Sequence, residues 1–388
     1  MKGTNVGLKY LFTSFFQIGL YSFGGYTSLI SVLQQKMVQR DKVLDEGVVL
    51  DGLSIASILP GPLAVNIVTY VGYTLRGWFG ALLSMIAVLL PSCLFMIAIA
   101  EFSHTFTHLP YVSSFLAGVM SVIVAVVGKV SFQMGKNHLK KLWQYVLVAL
   151  VIGVSFFFRS YFVIISMIIL GGILGTLFSD KENSKNQDAV ATGFHTRLVV
   201  GLVGVFIFFV LLYLITSGDN EKILTVFTKV SLTLFGGGYV MIPALFDLVV
   251  DHHQWLSVEE FSNAITFGQI TPGPILVSAT YVGYQVNGII GAVLATIGIF
   301  LPSATLMVVV GSGFIRIKDY AITKKIMAGI RPVVIGLIGY SVILLLKGVE
   351  LPLITSVLSV VSFALLTFGK VNFFIVLLVF GLIGMIVF

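Results

Sequence analysis

The chain has 388 residues, 57% of them hydrophobic and only 10% charged, with a mean hydropathy of +1.06 and a formal net charge of +7. That balance excludes a soluble globular domain, and apolar runs of about 20 residues exclude a barrel, whose strands are short and alternating. Cys93 stands alone, so no internal disulfide forms, and the basic residues lie mostly between apolar runs, which marks cytoplasmic loops rather than a nucleic-acid surface.

The apolar runs lie near 9–29, 53–72, 78–102, 112–134, 142–158, 161–178, 197–217, 224–246, 262–284, 288–313, 326–347, 350–369 and 371–388. Lipid forces each into a helix, so the fold class is an all-α polytopic membrane protein of about 13 segments. Lys2 and Lys9 precede the first run with no small-residue cleavage signature. This predicts a retained first helix and a cytoplasmic N-terminus in the cell membrane.

One pattern is written twice. Phe23-Gly24-Gly25 recurs as Phe235-Gly236-Gly237 and Pro60-Gly61-Pro62 as Pro272-Gly273-Pro274, both 212 residues on. After one deletion, "TYVGY" at 69–73 and 280–284, Pro91-Ser92 and Pro302-Ser303, and Gly128 and Gly339 keep an offset of 211. The expected organisation is a first repeat at 1–178, a polar linker with a connecting helix at 179–217, and a second repeat at 218–388. Six segments per repeat plus the connecting one put equivalent helices seven crossings apart, and an odd number inverts the second repeat. The charge count agrees: thirteen crossings place fourteen basic loop and terminal residues inside and six outside, namely Lys36, Arg40, Lys42, Arg159, Lys222 and Lys347. Were the two Pro-Gly-Pro segments to dip in and out without crossing, the repeats would be parallel, and the basic clusters at 136–141 and 316–325 would fall on opposite sides whichever way the chain starts.

The repeated breaks carry the chemistry. Proline lacks an amide donor and clashes with the preceding turn, so each Pro-Gly-Pro ends one half-helix and begins another. Pro62 and Pro274 suit a first helical turn. The amides after them are unpaired and carry partial positive charge, which away from water calls for an anion. A kink sealed by neighbouring helices is the competing reading, and matched breaks in both halves favour a site. Lys129, Lys229 and Arg331 lie inside apolar runs; Lys129 is near a helix end and can snorkel, whereas Lys229 and Arg331 are placed to face the breaks. Asp51 precedes its Pro-Gly-Pro by nine residues, and Glu101 and Asp247 read as solvated span ends. His104 and His108 read as a surface pair rather than a metal site. No nucleophile–base pair emerges, so no enzyme, no metal and no cofactor are expected.

With "FGGY", "LDGLSIASILPGP", "VGYTLRGWFGAL" and "LLPS" in the first half, and "FGGGYVMIP", "WLSVEEFSNAITFGQITPGP", "VGYQVNGIIGA", "FLPS" and "GIRPVVIG" in the second, the chain resembles the chromate ion transporter family in its long two-domain form. The resemblance implies a secondary transporter exporting chromate, with sulfate as a close mimic. It carries the substrate-binding positions onto Gly24, Gly25, Pro60, Gly61, Pro62, Arg76, Lys229, Gly236, Gly237, Gln269, Pro272, Gly273, Pro274 and Arg331. Gln17 stands where the second repeat has Lys229, and Asn287 where the first has Arg76, so the halves are not equivalent. The expected partners are the oxyanion and the lipid bilayer, with a homodimer allowed and no nucleic acid. Alternatives are a sulfate or other anion carrier, and a non-transporting scaffold or channel.

Overall fold

The computed structural model describes residues 6–23, 26–106, 109–158, 160–178, 196–233, 235, 238–314, 321–347, 351–369 and 371–388. Its elements are helical. In the first repeat they are α1 (Leu8–Tyr21), α2 (Tyr26–Leu33, running on as π-helical turns Gln34–Arg40), α3 (Glu46–Ala56), α4 (Leu63–Phe106), α5 (Pro110–His138), α6 (Leu142–Phe157) and α7 (Tyr161–Phe178). The connecting helix is α8 (Thr196–Ile215). In the second repeat they are α9 (Asp219–Thr233), α10 (Met241–Phe246, continuing as π-helical turns Asp247–His252), α11 (Val258–Ile270), α12 (Ser278–Phe314), α13 (Ala321–Leu346), α14 (Pro352–Thr367) and α15 (Phe373–Val387). Five helices among the described residues are long and apolar enough to cross a membrane. Large side chains such as Phe162, Leu353 and Ile386 are left on outer faces, where lipid rather than water suits them.

The duplication is visible in the backbone. Left-handed conformations recur at Lys42 and Gln254 (φ 51° and 52°), at Gly61 and Gly273 (106° and 104°), and at Gly77 and Gly288 (63° and 55°). The π-helical turns recur as well.

The runs at 9–29 and 53–72, expected as single spans, are each folded back on themselves. The Tyr10 hydroxyl donates to Asp41 Oδ2 at 2.6 Å, and Lys36 Nζ donates to Gln17 Oε1 at 2.7 Å. A straight helix would separate Tyr10 from Asp41 by about 46 Å, so α1 and α2 are antiparallel arms with Phe23 near their tip. The Tyr10 hydrogen bond, helped by Arg40 Nε at 3.0 Å, holds the Asp41 carboxyl below the ordinary carboxylate range. The second pair behaves likewise. A Cβ added to Gly52 would lie 3.1 Å from the Tyr70 ring and 3.5 Å from Ile67, so α3 and the first part of α4 run side by side with Pro60-Gly61-Pro62 as the corner.

Helix α4 itself doubles back at Arg76-Gly77, and α12 at Asn287-Gly288, where φ and ψ leave the helical region. Gly72 lies against Gly80, and Gly283 against Gly291, so each arm packs on its following helix backbone to backbone. Sequence periodicity could not separate these pieces, because arm and crossing helix are equally apolar.

The chain forms two compact units, one from Met1–Ile97, Asp180–Gly238 and Thr271–Lys325, the other from Ala98–Ser179, Tyr239–Ile270 and Ile326–Phe388. Each unit draws on both halves of the duplication. The second is built on α5, with Val122 and Ala125 packed against Leu366, Val376 and Phe380 of α14 and α15. Gly118 and Gly384 let α5 and α15 touch closely, and Gly171 and Gly329 do the same for α7 and α13. Lys129, expected to snorkel, donates instead to the Leu366 carbonyl at 2.9 Å, where α14 leaves its last carbonyls unpaired.

Candidate functional site: crossed helix breaks

Both Pro-Gly-Pro corners lie in the first unit, and each is seated against the other repeat. Pro60 pairs its backbone with Phe235, beside the second glycine cluster. Reciprocally, the Gly273 amide donates to the Ser22 carbonyl at 2.6 Å, beside the first. Each Pro-Gly-Pro corner thus makes a backbone contact with the described residue beside the other repeat's glycine cluster. Gly24, Gly25, Gly236 and Gly237 themselves lie outside the described residues, as does His108.

The side chains repeat the exchange. A Cβ on Gly61 would collide with Ser303, and one on Gly273 with Ser92, so glycine is required both for its left-handed φ and for this contact. Ser92 and Ser303, which in the sequence only mark the duplication, are in the structure the seats of the opposite corners. Asn66 closes the first corner by donating to the Pro60 carbonyl at 3.2 Å.

The corners begin helices as expected. The first intrahelical bond after Pro62 is Asn66 N–H to Pro62 O at 3.0 Å, which leaves the amides of 63–65 ahead of it. After Pro274 the first is Val277 N–H to Pro274 O at 3.0 Å. Neither 57–66 nor 267–278 contains an acidic residue. Ser92 Oγ and Asn66 Oδ1 are buried without a hydrogen-bond partner, and so are Thr228 Oγ1 and Ser231 Oγ on the arm leading to Phe235. Buried polar atoms are normally paired, and of these Ser92 Oγ lies against Gly273 and Asn66 beside Pro60, where they can serve a polar solute.

The remaining expected residues divide. Gln269, three residues ahead of Pro272, is 3% exposed with its Nε2 unpaired, although it belongs to the second unit. Arg331 is also in the second unit, partly buried on α13, in the electrostatic range of His138. Lys229 is not buried: it is exposed and borders a groove of about 310 Å³ between α8 and α9. Arg76 is away from the corners. It lies at the far end of its arm, about 20 Å from Pro62, where its Nε donates to the Val6 carbonyl at 2.7 Å. Asn287 does the same work in the second repeat, donating to Asn220 Oδ1 at 2.7 Å. Both side chains tie the doubling-back turn to the start of the repeat, which explains how arginine and asparagine can occupy one position.

The profile of the family described as chromate transporter matches residues 9–176 and 221–385, one match per half. The chain belongs to that family. It is 30% identical over 391 residues to an uncharacterised transporter of Methanocaldococcus jannaschii, covering 100% of this chain and 96% of the relative. It is 27% identical to a chromate transport protein of Pseudomonas aeruginosa (97% of this chain, 92% of that one) and 26% identical to one of Cupriavidus metallidurans (92% and 88%). No solved structure matches it. This family member is a multi-pass membrane protein, duplicated, and its elements among the described residues are helices.

Proposed function

We propose that the protein carries chromate, or a tetrahedral oxyanion like it, out of the cytoplasm, holding the anion at the crossed corners. The crossed pairs Pro60–Phe235 and Gly273–Ser22 are the observation that carries this reading. Each corner is a helix start in an acid-free stretch, and the buried Ser92 hydroxyl lies against Gly273; these features support an anion held away from water. Lys229, exposed in the same unit as the corners, favours approach of negative charge. The names of the relatives support chromate; sulfate has the same shape and charge and is expected to compete.

Folded-back arms also alter the membrane count. If both repeats follow the path seen in the first, each has four crossings, and with α8 equivalent helices are five apart. Five, like seven, is odd, so the second repeat is inverted. Lys36, Arg40 and Lys42 then move to the cytoplasmic side. Of the twenty loop and terminal basic residues only Arg159, Lys222 and Lys347 remain outside, so seventeen are inside. The charge bias favours this scheme over thirteen straight crossings. For a dianion leaving a negative interior the potential supplies about 4.6 kcal/mol per 100 mV, enough to drive export without ATP.

Labelled chromate taken up by inside-out vesicles tests the proposal. Saturable uptake, accelerated by a lumen-positive potential and inhibited by sulfate, is expected. Linear flux would favour a channel, and no flux would refute transport.

A further inference from the structure

By its sequence position Asp247 is expected to be a solvated span end. In the structure it is partly buried, and its Oδ2 accepts the Tyr161 amide at 2.7 Å, capping the start of α7. Beside it is a cavity of about 10 Å³, room for one water-sized body, whose polar lining comes from Ser155, Ser160, Asp247, Asp251 and Tyr340. Ser155 is 2% exposed and its Oγ has no partner, although it borders this space. A carboxylate retains acceptor capacity after one hydrogen bond. An unpaired hydroxyl beside it, with the other oxygens of the lining, makes a hollow suited to a hard cation.

We propose that this hollow binds one small monovalent cation of sodium's size, held by Asp247 and Ser155 with Asp251 at its exposed mouth. The fold does not demand the acids. At the matching places in the first repeat the same π-helical turns carry Gln35 and Gln39. The second repeat therefore has negative charge where its copy has neutral amides. Among the described residues, the other charged groups in reach are His252 on the same arm and the Lys347 ammonium, 5.5 Å from the centre of the Phe156 ring, which is next to Ser155 in the chain. The hollow admits one ion without its water shell, which suits a monovalent ion better than calcium with its six to eight oxygen ligands. On the membrane path proposed above, from which the orientation alone is taken, the site opens to the outside. A cation entering there as an anion leaves would make the carrier an exchanger.

Thermal unfolding of the full-length purified protein in sodium chloride against choline chloride, at equal ionic strength, tests the site directly. A saturable sodium-dependent rise in Tm of about 3 °C is expected, lost in Ser155→Ala and Asp251→Asn. Asp247→Asn also replaces the charged acceptor of the Tyr161 amide with a neutral one, so it is the less informative variant. No sodium shift, or equal shifts in all three proteins, overturns the proposal. A response to pH alone overturns it too and gives the acids to a proton. A second arm loads inside-out vesicles with sodium or choline. Faster chromate uptake into the sodium-loaded ones, abolished by Asp251→Asn, supports coupling, and equal rates overturn it. If chromate is not taken up at all while the sodium shift persists, the transport reading fails and the cation site stands.

Discussion

The π-helical turns at 34–40 and 247–252 have the same backbone and opposite electrostatics. The first carries Lys36 and Arg40, with Gln35 and Gln39 neutral; the second carries Asp247 and Asp251. They also belong to different compact units. Duplication preserved the local conformation, which short-range sterics and hydrogen bonds fix, and left side-chain charge and packing partners free to diverge. What is conserved between the halves is thus the frame of the crossed corners, and what differs marks where the halves have separate tasks.

The comparison is broken most severely at the shared frame. Gly273→Ala puts a side chain at φ 104° and against Ser92. It is expected to abolish chromate uptake, with a structural cost of about 1–3 kcal/mol from overpacking before the backbone strain is added. Gly61→Ala should match it, through Ser303. An unequal outcome in a vesicle uptake assay would show that one repeat dominates anion binding.

Gln269→Ala comes next. Losing one buried donor to a charged solute costs about 1.5–3 kcal/mol, roughly a tenfold to hundredfold rise in KM for chromate with insertion unaffected. An unchanged KM would remove Gln269 from the site.

The turn tethers sharpen the contrast. Arg76→Ala is expected to lower Tm in detergent by several degrees while leaving the KM for chromate unchanged, and Arg76→Asn to recover part of the loss, since Asn287 performs the same tethering. A change in KM larger than the change in Tm would return Arg76 to the substrate.

The smallest effect belongs to the first arm pair. A carboxyl held below its unfolded value near 3.9 stabilises the fold above that pH, and the contribution is lost as pH falls through the lower folded value. Tyr10→Phe should therefore cost less than about 1 kcal/mol at pH 7, and nothing at a pH below the folded value. Thermal melts of both proteins at the two pH values check it.

The sequence by itself determined the class, the duplication and the places where helices break. Apolar length, composition and the Pro-Gly-Pro and Gly-Gly punctuation are local properties that neighbours cannot overrule in lipid. Only the tertiary structure decided what the breaks become. Arms that fold back look the same along the chain as helices that pass straight through, and the difference lies in contacts such as Tyr10 with Asp41 and Gly52 with Tyr70. The same limit explains the site. Pro60, Gly61, Pro62, Pro272, Gly273 and Pro274 were legible because backbone chemistry advertises itself. The seating of Gly61 on Ser303 and the tether role of Arg76 were not, because they depend on partners about 70 to 240 residues away that no local pattern encodes.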